Sequence, residues 1–486
     1  MTDRKVTLIF PDETRITAEA RDGENLLEVL RRSGVVIASD CGGNGKCGKC
    51  RVTRIRDGVS EEVPACKTIP QAGDGYLVKR EGSFVSKGET GEKTSFASYC
   101  LALDIGTTTV AVSLISQSGE RAGERRFNNP QRAYGADVIS RLAAASNGKA
   151  EEMREALCKA VTRETALLLD ECGVSSEKIT AAAAAGNTVM THILLGFDCS
   201  GLGVYPFTPA SLDSVTLPFS ELFPGSEIAA ETYVFPCISA FAGGDILAGI
   251  YACDMDKSDK MNMLIDLGTN GEIAAGSRDG ILVTSASAGP AFEGGSLSCG
   301  TGSVPGAIDS VSVYGGKASI TTIGGKAPVG ICGSGVVDTA ASLVRAGIAD
   351  RSGLLGVEYR EKGFPLAQGI FFTQDDLRQV QSAKSAIKTA ITLLLKRTGG
   401  EIDGGVYLAG GFGKGINPAN AARLGLVPEC DLSQIVSAGN TSLKGAEKLL
   451  AENGRERVEA IKNIAVRFDL PEDDEFNKLF VENLDF

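Results

Sequence analysis

Cys41, Cys47, Cys50 and Cys66 fall in the runs DCGGNGKCGKCRV and PACKT, a C-x5-C-x2-C pattern followed by one further cysteine. Thiolates are soft ligands suited to iron–sulfur clusters, and this spacing is that of a 2Fe-2S site with the four cysteines as its metal ligands. Gly42, Gly43, Gly45 and Gly48 lie among them, where a backbone without Cβ atoms can wrap closely and aim amide N–H groups at sulfur. A structural zinc site often uses two C-x2-C pairs, and only one is present. The chain has 13 cysteines, an odd number, and opens MTDRKVTLIF without a secretory signal, which argues against a disulfide framework. The remaining nine stand in apolar surroundings and read as reduced core thiols, implying a cytoplasmic location.

A second chemistry is written twice. LALDIGTTTVAVSLI (101–115) and MLIDLGTNGEIAAGS (263–277) share apolar–Asp–apolar–Gly–Thr at the end of an apolar run. Each run reads as a strand that delivers an aspartate and then turns, through Gly106, Thr107 and Thr108 or through Gly268, Thr269, Asn270 and Gly271. Backbone amides and short side chains in such turns can cradle phosphate oxygens. Asp104 and Asp266 would then face a phosphate-bound Mg2+, which needs only one or two carboxylates besides phosphate and water. A third element, the strand 406–409, runs into Gly410 and Gly411, where the backbone can lie flat against a base or ribose. Together these predict ATP between two duplicated α/β lobes that share a cleft.

The elements that must hold these residues are legible from periodicity. Residues 5–10 and 14–20 alternate as strands about the turn at Pro11 and Asp12, and 25–33 reads as a helix with Leu26, Leu27 and Leu30 inward. Further strands are predicted at 51–55 and 75–79. The fold class is α/β with an N-terminal α+β β-grasp ferredoxin domain and a duplicated two-lobed ATPase. The domains are 1–85 (ferredoxin), 86–98 (a polar, flexible linker, SKGETGEKTSFAS), 99–258 (lobe I) and 259–486 (lobe II). Residues 379–396 read as a lobe helix with solvated lysines. His192, the single histidine, sits in TVMTHILLG and reads as a packed residue rather than a base. A net charge of −12 without a Lys/Arg run argues against nucleic acid. No apolar stretch of about 18 residues is present to span a membrane.

The two hairpins and the Gly-Gly element resemble those of the acetate and sugar kinase, heat-shock ATPase and actin superfamily. The ferredoxin-like cysteines combined with AAGNTVMTHILLG, AFAGGDILAGI, AGPAFEGGSLSCG, PVGICGSGVVD and VYLAGGFGKGINPANAARLGL resemble, more closely, the ATP-dependent reductive activators of corrinoid proteins. The resemblance implies an actin-like fold and an ATP-hydrolysing enzyme that returns a partner's corrinoid from Co(II) to Co(I), the electron leaving a 2Fe-2S cluster. It implies a corrinoid protein as partner and an upstream low-potential electron donor, and leaves a homodimer open. It also makes Asp245, in AFAGGDILAG, a candidate to orient the attacking water, with Glu293, in AFEGGS, in a similar position. Two departures stand out. Only 15 residues separate Cys50 from Cys66, and about 30 separate Cys66 from the first hairpin, so the chain is read as lacking the family's middle domain. The alternatives are a redox-regulated small-molecule kinase and a non-catalytic, redox-gated partner-binding ATPase.

Overall fold

Apolar alternation in KVTLI and ITAEA makes an antiparallel pair, β1 (Arg4–Ile9) and β2 (Arg15–Ala20), with Val6, Leu8, Ala18 and Ala20 buried. This is a computed structural model that describes residues 4–10, 14–35, 37, 39, 41–43, 45, 46, 48–78, 96–294, 296–410 and 415–486. Cys47, Gly411 and positions 86–95 of the expected linker lie outside the described residues. The predicted helix is α1 (Leu26–Arg32), started by a capping box: Asn25 Oδ1 accepts from the Glu28 amide at 3.1 Å, and Glu28 Oε2 accepts from the Asn25 amide at 3.0 Å. Its inward face is Leu26, Leu27, Val29 and Leu30.

Three more strands, β3 (Arg51–Arg56), β4 (Val59–Pro64) and β5 (Gly75–Leu77), complete a sheet ordered β2-β1-β5-β3-β4, with β5 parallel to β1. Strand β4 has no counterpart among the predicted elements. It is an edge strand whose first four residues are exposed, so its sequence carries no period-two signal. Instead Glu61 and Glu62 reach across the ladder to Arg54 and Arg51, at 2.5 and 2.9 Å.

The chain divides into two compact units, Met1–Val234 and Phe235–Phe486. In the first, the β-grasp sheet is followed by β6 (Tyr99–Ile105), β7 (Thr109–Ser116), β8 (Arg121–Asn128), α2 (Val138–Ala144), α3 (Ala150–Cys172), β9 (Ile179–Gly186), α4 (Thr188–Leu195), β10 (Val215–Pro218), α5 (Phe219–Leu222) and β11 (Glu231–Val234). Their sheet is ordered β10-β11-β9-β6-β7-β8. Strands β6, β7 and β8 form an antiparallel meander, and β9 lies parallel to β6 on the other side. Helix α3 is tied to β8 by the enclosed pair Arg125–Glu164 at 2.6 Å, with Glu171 on the same guanidinium at 2.7 Å.

The second unit begins with α6 (Gly244–Ala252), followed by the meander β12 (Asn262–Leu267), β13 (Gly271–Ser277) and β14 (Gly280–Ala286). Next come β15 (Ala307–Tyr314), β16 (Lys317–Thr322), β17 (Gly330–Ile331), α7 (Gly333–Arg345), β18 (Phe364–Ala367), β19 (Ile370–Phe372) and α8 (Gln374–Thr398). The unit closes with β20 (Val406–Ala409), α9 (Pro418–Leu424), β21 (Ile435–Gly439), α10 (Thr441–Glu452), α11 (Arg455–Ile464), β22 (Ala465–Arg467) and α12 (Phe476–Glu482). Its main sheet is ordered β21-β20-β12-β13-β14-β22, with β20 parallel to β12. The series β11-β9-β6-β7-β8 and β21-β20-β12-β13-β14 therefore repeat one pattern, the duplication expected of an actin-like fold. One expectation is corrected: within α8, Lys384 is buried rather than solvated. Its ammonium donates to the Asp485 carbonyl, and burial pushes its pKa down to about 8.

His192 is a packed residue in α4. Nδ1 lies 2.8 Å from the Thr188 carbonyl and Nε2 accepts from the Ala210 amide at 3.1 Å, so the ring is the neutral Nδ1–H tautomer. Burial holds its pKa below the usual histidine value. The unfolded chain, with the imidazole near pH 6.5, takes up a proton that the folded state refuses, so this contribution is fully present above about pH 6.5 and is lost as pH falls. The thermal midpoint is expected to drop between pH 7 and pH 5. In His192→Gln, less stable at neutral pH, the slope should flatten; an unchanged slope would place the proton uptake elsewhere.

Candidate functional site

The cysteine loop is shaped by its glycines. Gly42, Gly43, Gly45 and Gly48 have φ of 65°, 99°, 71° and 67°, a region costly for residues with a Cβ. Cys50 precedes β3 and is 2% exposed, while Cys66 sits in the short turn Ala65–Lys67 after β4. The Cys66 thiol is hydrogen-bonded to Cys50 and to the Gly45 amide, and Cys41 is close enough to act on its charge. Burial first, then Cys50 and Cys41, push its pKa up to about 11. Thiols crowded to this degree hold their protons until a metal replaces them, and an amide is already aimed at sulfur. The three described cysteines and their loop fit a 2Fe-2S cluster. The loop packs against a neighbouring turn of the same unit: Ser39 Oγ donates to the Ala133 carbonyl at 2.6 Å, and the Arg31 guanidinium donates to the Gly42 carbonyl at 3.0 Å while lying 4.6 Å over the Tyr134 ring.

Asp104 is the penultimate residue of β6, and Gly106, Thr107 and Thr108 form the turn into β7; all four are partly exposed. A Cβ at Gly106 would lie 2.5 Å from the Thr109 carbonyl oxygen, so the turn closes only on glycine. Side chains from three other places hold the turn. Asn129 Nδ2 donates to the Gly106 carbonyl at 2.8 Å, Asn187 Nδ2 to Thr107 Oγ1 at 2.9 Å, and Arg141 to the Thr107 carbonyl. Asn187 also caps α4, which accounts for the AAGNTVM motif.

In the second unit Asp266 occupies the matching place in β12, and the turn is one residue shorter. Asp266 pairs with Glu272, whereas Asp104 pairs with Ala111. Thr269 Oγ1 donates to Glu293 Oε2, and the Gly268 amide donates to the Asn270 carbonyl at 3.0 Å. Gly271 opens β13 with Asn270 just before it. Asp245 lies in the first turn of α6. Glu272 was not among the sequence candidates, yet the charges of Asp245, Asp266 and Glu293 all act on it. Burial, then those three, raise its carboxyl well above the usual range. The missed signal is the cross-strand position: an acidic residue on β13 facing the aspartate of β12. Among the described residues no three His, Cys, Asp or Glu side chains form a ready-made metal cage. Mg2+ requires none, since water and phosphate complete its shell, and the donor set around Asp266 fits it.

The third element also takes its predicted form. β20 runs parallel between β12 and β21 into Gly410, whose φ is 133° and whose amide donates to the Gly439 carbonyl at 3.1 Å. Beyond it lies a polar cavity of about 320 Å3 lined by Asp309, Ser310, Ser334, Asp338, Gly415 and Asn417. Asp338 fixes its wall, accepting from Ser310 Oγ at 2.8 Å and from Asn420 Nδ2 at 2.6 Å. The motifs PVGICGSGVVD and VYLAGGFGKGINPAN thus meet at one pocket. The 1270 Å3 cavity between α1 and α3 in the first unit is not lined by Gly106, Thr107 or Thr108.

Comparison with known proteins separates the chain in the same order. Residues 9–71 match the 2Fe-2S iron–sulfur cluster binding domain, 99–258 the RACo middle region, and 260–486 the C-terminal, ASKHA domain of RACo. The corrinoid activation enzyme RamQ of Eubacterium limosum is 32% identical over 421 residues, covering 80% of this chain and 70% of that protein. The chain belongs to the RACo-like reductive activators. A second relative, the [Co(II) methylated amine-specific corrinoid protein] reductase of Methanosarcina barkeri, is 25% identical over 80% of this chain and 77% of its own length. A solved structure, the reductive activator for corrinoid, iron-sulfur protein, superposes with a TM-score of 0.75 at 28% identity, covering 100% of this chain and 98% of that one. One expectation falls: the family's middle region is not missing. It is the segment 99–258 that carries the first hairpin, where sequence reading looked for an additional insertion between cluster and hairpin.

Proposed function

We propose that this chain is an ATP-hydrolysing reductive activator that passes one electron from a 2Fe-2S cluster to a Co(II) corrinoid on a partner protein, leaving Co(I). The observation that carries the reading is the presence in one polypeptide of a ferredoxin-type cysteine loop and a duplicated phosphate hairpin, in the order found in relatives named for corrinoid activation. A small-molecule kinase would leave the cysteine loop without a chemical purpose.

Cys41, Cys47, Cys50 and Cys66 hold the cluster, which supplies a one-electron donor when bound. Buried Cys50 and the Gly45 amide keep that site partly shielded from water. Asp104 and Asp266 support Mg2+ on the nucleotide. Gly106, Thr107, Thr108, Gly268, Thr269, Asn270 and Gly271 receive the phosphates, and Gly410 and Gly411 receive the nucleoside. Asp245 and Glu293 orient the attacking water. Glu293 already accepts the Thr269 hydroxyl, so nucleotide binding at that turn would be felt by the carboxylate.

Hydrolysis has a thermodynamic task. A plant-type cluster sits near roughly −400 mV, and each further 100 mV demanded by the cobalt costs about 2.3 kcal/mol for one electron. ATP binding followed by hydrolysis can meet this by driving the pair through a partner state whose cobalt is easier to reduce. The test is the loss of the Co(II) spectrum of a corrinoid protein mixed with the pre-reduced chain. Co(I) should form with ATP and fail to accumulate with a non-hydrolysable analogue or without nucleotide. Equal reduction in all three mixtures would remove ATP coupling and favour a redox-gated binding ATPase.

A further inference from the structure

Arg141 in α2 has no exposed surface, and none of its hydrogen bonds goes to a carboxylate. Nε donates to the Gly135 carbonyl at 3.0 Å, Nη1 reaches Gln131 Oε1 at 3.4 Å and Met190 Sδ at 3.0 Å, and Nη2 donates to the Thr107 carbonyl. Buried charges are ordinarily paired, because leaving water is expensive. Burial pushes the Arg141 pKa down to about 9, with Arg132 adding to the effect and Asp137 opposing it. At neutral pH it remains a cation.

What the guanidinium holds is the first hairpin. The Gly106 carbonyl is bound by Asn129 and the Thr107 carbonyl by Arg141, and both side chains are wholly enclosed. A trans peptide directs its C=O and the following N–H to opposite sides. Fixing these two carbonyls on the interior side therefore turns the amides of Thr107 and Thr108 the other way. The turn is held in the form an anion-binding loop requires, with a cation behind it that has no carboxylate hydrogen-bonded to it.

We propose that Arg141 is the positioning residue and buried counter-charge of the first phosphate turn, presenting its amides and drawing the nucleotide's phosphates to them. The inference rests on reading Gly106–Thr108 as a phosphate turn.

The test is calorimetric titration of the full chain with ATP, ADP and adenosine in Mg2+ buffer. Arg141→Met should bind ATP and ADP at least about tenfold more weakly, as expected for loss of a charge-assisted contact, while adenosine changes less than about twofold. Arg141→Lys keeps the charge but not the fork, and should lose only about threefold for ATP and ADP. Equal losses for adenosine and ATP, or none for ATP, would overturn the proposal. If Arg141→Met does not fold by circular dichroism, Arg141→Lys decides, and wild-type ATP affinity there overturns the positioning role. Asp104→Ala separates the two levels. If it loses phosphate-dependent binding and Arg141→Met does not, the Arg141 inference fails alone. If neither does, the phosphate-turn reading fails and takes the inference with it.

Discussion

Asp266→Ala should lower ATP hydrolysis by about two to three orders of magnitude, the range seen when one preorganised electrostatic contact to a developing charge is removed. The folded chain should survive it. Asp266 is the penultimate residue of a strand, partly exposed, and its cross-strand partner Glu272 is already burdened by the charges of Asp245 and Glu293. Removing one of the charges that act on Glu272 relieves repulsion, so without nucleotide the variant should melt higher than the parent. The visible absorption of the cluster should be unchanged, since Asp266 lies in the other unit. Asp104→Ala should give a loss of the same order in hydrolysis without the gain in melting temperature, because Ala111, not a carboxylate, stands opposite. Steady-state phosphate release and thermal unfolding measure both halves. Full hydrolysis in both variants would dismiss the hairpins as a nucleotide site.

The contrast between the hairpins shows what a sequence yields and what it withholds. The aspartates, the small turn residues and the duplication were legible because they recur in the same order at the ends of apolar runs. The one-residue difference in turn length was not, because it changes register without changing residue type. Glu272 was hidden for the same reason: its importance comes from facing Asp266 across the ladder, a long-range pairing that no local pattern encodes. The braces Asn129 and Arg141 were hidden too, since a polar residue in a short helix or turn normally reads as solvated. The β-grasp helix was legible to its caps, Asn25 and Ser33, because capping chemistry is local. β4 was not, because its stability comes from cross-strand ion pairs on an exposed edge. β9 shows the limit of propensity: ITAAAAAG reads poorly as a strand, yet in the centre of its sheet burial and ladder hydrogen bonds override alanine's preference. The middle region was misjudged because it is not an insertion. Once β6 to β11 are seen to repeat the pattern around β12, it is simply half of the duplicated fold.

Cys50→Ser should abolish Co(I) formation, by about a hundredfold or more, while ATP hydrolysis stays within about twofold of the parent. Of the three described cysteines, Cys50 is the most enclosed, and it is hydrogen-bonded to Cys66 with Cys41 acting on the same thiol. Serine there keeps the volume but offers a hard oxygen whose proton is far more tightly held than a thiol's, so iron should bind weakly or leave. The purified parent should be red-brown with about two irons per chain and the variant pale. Cys50 is one buried member of a β-grasp core in which Leu8, Leu26, Leu30 and Tyr76 are fully enclosed, and serine fills nearly the same volume there. Far-ultraviolet circular dichroism should therefore be unchanged. The cysteine loop and the phosphate hairpins carry separate chemistries, so loss of the electron donor removes Co(I) formation without removing hydrolysis itself. A bleached variant that still drove Co(II) to Co(I) with ATP would show that the electron reaches the corrinoid by a route other than this cluster. A variant that kept its iron and colour would dismiss Cys50 as a ligand.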